Sequence, residues 1–139
     1  MTEATMQTMF RKYLESNPPF LPEVYELKLC KGTSLPFEAV KPHQVIALKQ
    51  ATTGLFHKLT DPPIFYNNTT RFNLPRPFDC MYLKGIKGYV VVWFYVPRTK
   101  KTFIKIPIAH WLAEQATCGR KSITEAMALN IGTPLDITT

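Results

Sequence analysis

Residues Tyr89–Val96 read Tyr-Val-Val-Val-Trp-Phe-Tyr-Val, an unbroken apolar and aromatic run. Side chains of a strand point alternately to its two faces, so a run of this kind puts apolar groups on both. Such a strand must be central in its sheet and covered from both sides. The run therefore demands a sheet with a layer above and a layer below. A chain of 139 residues can bury that core as a single domain without disulfide or metal staples.

The rest of the chain supplies the other layers. From Thr2 to Glu15, Met6, Met9, Phe10, Tyr13 and Leu14 recur at helical spacing, and Asn17-Pro18-Pro19 stops the helix. Val24–Cys30 alternates as a strand, with Glu26, Lys28 and Cys30 on one face and Tyr25, Leu27 and Leu29 on the other. A turn over Lys31–Phe37 leads to a helix expected from about Glu38 to Thr52, with Val45, Leu48 and Ala51 as its buried stripe and Pro42 in its first turn. Leu55–Thr60 and Phe78–Lys84 read as strands on either side of a long surface loop, Ile64–Pro77. Thr102–Ile106 is a further strand, a helix opens at Pro107 and runs to Gly119, and Ser122-Ile-Thr-Glu125 fits a capping box before a short helix to Asn130. The expected class is α/β, a mixed central sheet flanked by helices.

Lys and Arg number 17 against 10 Asp and Glu, a formal net charge of +7. The basic residues gather in Lys28–Lys41, Arg71–Arg76 and Arg98–Lys105, which favours a polyanionic partner, nucleic acid before an anionic membrane surface. Cys30, Cys80 and Cys118 are widely spaced and form no Cys-x-x-Cys pair, as expected of reduced core thiols in a cytoplasmic protein. The N-terminus lacks a signal-peptide pattern, and no apolar run approaches the roughly 18 residues of a membrane span.

The stretch that carries chemistry is Val24–Gln50. An acid and a lysine two apart on a half-buried strand need partners, because burying either charge alone is expensive. Glu26-x-Lys28, the basic turn, Ser34-Leu35-Pro36-Phe37 and then His43-Gln44 on a helix resemble, in that order, the core of the PD-(D/E)xK nuclease superfamily. Within it the stretch most resembles RecU-type Holliday-junction resolvases and related small phage-encoded nucleases. The likeness covers Tyr25–Gln50 and extends more loosely to Arg76-Pro77-Phe78-Asp79.

The resemblance implies a restriction-endonuclease-like core and a Mg²⁺-dependent endonuclease, with Mn²⁺ as a substitute, that cuts branched DNA as a homodimer. It implies Glu26, Lys28, Gln44 and Asp79 as the catalytic set, and Glu26 and Asp79 as metal ligands with Asp61 as a further candidate. The family's aspartate ordinarily precedes the Glu-x-Lys strand, but here the only acid between the first helix and Glu26 is Glu23. Asp79 would supply it from downstream, in a permuted core, if Phe78–Lys84 lay beside Val24–Cys30. Mg²⁺ takes hard oxygen ligands and keeps several waters, so two carboxylates and a carbonyl suffice. Lys28 would orient the attacking water or stabilise developing charge, and Gln44 would reach the phosphate or position the lysine. Lys31, Lys41, His43, Arg71, Arg76, Arg98, Lys100 and Lys101 are the candidates for contacts to the DNA backbone.

Each assignment has a plainer counterpart. Glu26 and Lys28 also suit a same-face ion pair, Asp79 a turn, and Gln44 the border of a helix stripe. Trp93 and Trp111 suit the core better than a base-stacking platform. The alternative function is a nonenzymatic DNA- or protein-binding module on the same fold without a working metal site.

Overall fold

A computed structural model describes residues 2–58, 80–98 and 102–137. The first helix, α1 (Glu3–Ser16), is capped by Thr2, whose side chain accepts from the Thr5 amide, and ends at Asn17 ahead of the proline pair. The strand β1 (Glu23–Cys30) follows, then a short strand β2 (Ser34–Pro36) and one 3-10 turn at Phe37–Ala39. The helix α2 (Pro42–Thr53) begins four residues later than expected, with Pro42 as its first residue. The proline amide is missing where no helical partner would exist, so the helix starts there and not at Glu38.

Next come β3 (Leu55–Lys58) and β4 (Cys80–Leu83), and then β5 (Lys87–Phe94), which holds most of the long apolar run. The strand β6 (Thr102–Pro107) and the helix α3 (Ile108–Thr117) follow. The chain ends its described course with β7 (Ser122–Thr124), α4 (Glu125–Ile131) and β8 (Thr133–Leu135).

The fold is α/β, with a mixed sheet in the order β1-β5-β6-β8 and helices on both faces. Parallel β1 and β5 run in register from Glu23 beside Lys87 to Cys30 beside Phe94, and β5–β6 and β6–β8 are antiparallel. Parallel neighbours need a crossover, and α2 lies within the one that joins β1 to β5. Val90, Val91, Val92 and Trp93 are all fully buried, as a central strand requires. On one face Val91, Trp93 and Phe103 pack with Met6 and Phe10 of α1, the Trp93 and Phe103 rings stacking at 4.7 Å. On the other, Val90, Val92, Ile104 and Ile106 meet Leu48 of α2, Trp111 of α3 and Ala128 of α4.

Three expectations are corrected. Ser122 does not cap a helix: Ser122–Thr124 pairs antiparallel with Ser34–Pro36, and the cap of α4 is Thr124, which accepts from the Met127 amide. Strand β4 does not lie beside β1, because Cys80–Leu83 pairs with Leu55–Lys58 in a separate two-stranded sheet. Pro107 ends β6 and caps α3 from outside, so the helix proper starts at Ile108. The loop Ile64–Pro77 lies outside the described residues.

Candidate functional site

The alternation of β1 sends Glu26 and Lys28 to the face covered by α2, next to Val90 and Val92 of β5 in register. Lys28 Nζ stands 3.1 Å from Glu26 Oε1, and both side chains are shielded, 16% and 26% exposed. A valine surface beneath the pair raises the strength of their attraction above that of a solvent-exposed pair.

Gln44 completes the arrangement from the helix. It is the third residue of α2, and its Oε1 accepts from the Lys41 amide at 2.8 Å. This is the side-chain-to-backbone half of a capping box. A lysine ammonium has no lone pair and cannot supply the other half. With its oxygen fixed to the helix start, the Gln44 carboxamide points its nitrogen outward, and Nε2 donates to Glu26 Oε1 at 2.8 Å. Glu26, Lys28 and Gln44 thus meet at one carboxylate oxygen, while no described residue engages Glu26 Oε2.

The remaining sequence candidates divide in two. Lys31, Lys41, His43 and Arg98 are exposed. Lys41 and His43 flank Pro42 at the start of α2, next to Gln44, while Lys31 and Arg98 follow the parallel strands β1 and β5 and leave the sheet at one end. Arg98 has the left-handed backbone, with φ of 63°. Asp61, Arg71, Arg76, Asp79, Lys100 and Lys101 lie outside the described residues. Among the described residues no group of three or more His, Cys, Asp or Glu side chains is placed to hold a metal ion. Glu26 offers one hard oxygen, which fits Mg²⁺ as one of the one or two protein carboxylates it takes while keeping its waters.

The opposite face of the sheet holds a second polar cluster that the sequence did not flag as a site. Glu23 Oε2 accepts from the Tyr25 hydroxyl at 2.7 Å and from Lys105 Nζ at 3.4 Å. Lys105 also stands 4.5 Å over the Tyr89 ring, a cation–π contact. Burial, followed by the hydrogen bond and charge of Glu23, pushes the Tyr25 hydroxyl pKa well above its ordinary value, and burial raises that of Tyr89 as well. The available signal was the joint parity of Glu23 and Tyr25 on β1, but their partner Lys105 is remote in sequence. His110 has a structural role, its Nδ1 lying 3.1 Å from the Ile131 carbonyl.

Glu26 and Gln44 lie in neither of two clefts of about 580 and 440 Å³, one beside Thr2, Leu29 and Lys31 and the other between α3 and the end of α4 where it leads into β8. No helix among the described residues is long and apolar enough to cross a membrane. No family model, curated protein or solved structure matches the chain.

Proposed function

We propose that the chain is a Mg²⁺-dependent endodeoxyribonuclease that hydrolyses phosphodiester bonds of branched DNA, acting where such DNA forms, in a bacterial or virus-infected cell cytosol. One observation carries this reading: Glu26, Lys28 and Gln44, three of the four residues expected to act together, converge on a single carboxylate oxygen. Their convergence supports a preorganised polar site on rigid elements, a strand and the first turn of a helix.

Glu26 would hold the ion, which when bound neutralises phosphate charge and lowers the pKa of a coordinated water. Gln44 fixes the rotation of the Glu26 carboxylate, leaving Oε2 without a partner among the described residues. Lys28, held beside that carboxylate, provides an ammonium to stabilise negative charge developing on a phosphate oxygen. Lys31, Lys41, His43 and Arg98 supply exposed groups for a sequence-independent grip on the DNA backbone, with an affinity that falls as salt rises.

A second reading, a nonenzymatic DNA-binding module, is favoured by the same mutual satisfaction, since Lys28 and Gln44 both already have partners. Cleavage of a labelled four-way junction and a matched duplex in Mg²⁺, Mn²⁺ or EDTA separates the two. The nuclease cuts only with metal, prefers the junction and loses cutting in Glu26→Gln with its fold intact. Binding without cutting under every metal would overturn the nuclease and leave the module.

A further inference from the structure

From the pairing of the sheet we infer that the outer edge of β1 is a docking surface for a second copy of this chain. The partner strand would be β1 itself, antiparallel, joining two four-stranded sheets across a two-fold axis at Leu27.

The strand β1 stands at the end of the order β1-β5-β6-β8, so among the described residues one side of it has no strand partner. It is eight residues long and contains no proline. The other edge, β8, is only three residues and has Pro134 at its centre, two devices that discourage pairing. Partial exposure runs along β1 from Glu23 to Leu29.

Hydrogen-bond parity fixes which groups face outward. The Cys30 carbonyl accepts from the Tyr95 amide at 2.8 Å, so it points toward β5. Amide and carbonyl of one residue point to the same side of a strand, and the side alternates. The backbone groups of Tyr25, Leu27 and Leu29 therefore face away from β5, toward the side of β1 that has no strand partner among the described residues.

An antiparallel pair centred on Leu27 sets each residue opposite a chemically fitting one. Leu27 meets Leu27 of the second copy and Tyr25 meets Leu29, as hydrogen-bonded pairs. Glu26 meets Lys28, and Glu23 meets Lys31, with the reciprocal pairs repeated by symmetry. The Glu26–Lys28 pairs fall at the positions without hydrogen bonds, where facing side chains are closest. Moving the centre one residue either way sets Glu26 against Glu26 or Lys28 against Lys28, and like charges directly opposite destabilise a sheet. The edge is thus complementary to itself in the Leu27-centred register. This inference does not rest on the nuclease reading, and association is measured without DNA or metal.

Sedimentation velocity over a concentration series and native mass spectrometry of mixed variants test it together. Wild type should dimerise. Glu26→Lys turns both facing pairs into lysine against lysine, and Lys28→Glu turns both into glutamate against glutamate, so each variant alone should dimerise about tenfold or more weakly. Mixing the two variants restores opposite charges across the axis and should give a heterodimer, although neither chain regains its internal Glu26–Lys28 pair. That recovery distinguishes a facing strand from loss of local structure. If either variant fails to fold by circular dichroism, the exposed Lys31→Glu, which sets a second carboxylate against Glu23, should weaken the dimer in its place. A monomeric wild type, a mixture no more associated than its parts, or dimers indifferent to Lys31→Glu would overturn the proposal.

Discussion

Gln44 Nε2 donates to Glu26 Oε1 at 2.8 Å, tying the first turn of α2 to the middle of β1 across eighteen residues of sequence. Lys28 reaches the same oxygen at 3.1 Å, so the carboxylate is the shared partner of two side chains. Removing it strands the Lys28 ammonium, which is only 16% exposed, and frees the Gln44 amide. Glu26→Ala should therefore destabilise the fold by about 1–3 kcal/mol, because an uncompensated charge is worse than no charge. Glu26→Leu with Lys28→Met replaces both partners and should lose less than the two single losses combined. Urea unfolding of wild type, Glu26→Leu, Lys28→Met and the double variant decides this, and additive single and double losses would mean that the pair is not coupled.

Gly88 is buried where β5 passes α2 closely. A Cβ on Gly88 would stand 2.6 Å from the Leu48 carbonyl oxygen, a backbone atom that cannot swing aside. Gly88→Ala should cost about 1–3 kcal/mol through overpacking, seen as a lower Tm. Gly32 provides the control, since a Cβ there meets nothing within 4 Å. Equal Tm values for Gly88→Ala and Gly32→Ala would show that α2 and β5 lie further apart.

Elements with strong local signals were legible in the sequence. The run in β5 announced a strand buried on both faces, and the alternation of β1 placed Glu26 and Lys28 on one face. The same parity groups Glu26 with Lys28, and Gln44 stands at the border of the α2 stripe; its meeting with Glu26 depends on how α2 packs on β1, and Asp61 and Asp79 lie outside the described residues. Short strands were not legible. Ser34–Pro36 and Ser122–Thr124 have three residues each, and only their mutual pairing makes them strands. The Glu23–Lys105 contact was hidden likewise, spanning 82 residues with no local pattern to mark it.

The reassigned cap of α4 makes a direct comparison possible. The Thr124 hydroxyl oxygen accepts from the Met127 amide at 3.3 Å, whereas Ser122 lies in β7 opposite Pro36. Thr124→Ala should destabilise by about 1 kcal/mol, the ordinary loss for an N-cap oxygen. Ser122→Ala should change stability by less than half of that. The reverse order in thermal unfolding would return the cap to Ser122.

Tyr25 links the fold to pH. Its hydroxyl donates to Glu23 at 2.7 Å, and Lys105, Tyr89 and Tyr13 are the other titratable groups around it. Burial and the Glu23 carboxylate hold its pKa well above the ordinary 10 of a tyrosine, and the pKa of Tyr89 is raised too. An unfolded chain releases these protons near pH 10, whereas the folded chain retains them to higher pH. The associated stability is fully present below about pH 10 and is lost as pH rises toward the folded-state value. Tyr25→Phe removes the strongest of these shifts, so between about pH 9 and 11 its stability should fall less steeply than that of wild type. Urea midpoints across that range, with ultraviolet absorbance to follow phenolate formation, measure both effects. Parallel slopes for the two proteins would show that the Tyr25 hydroxyl titrates alike in the folded and unfolded chains.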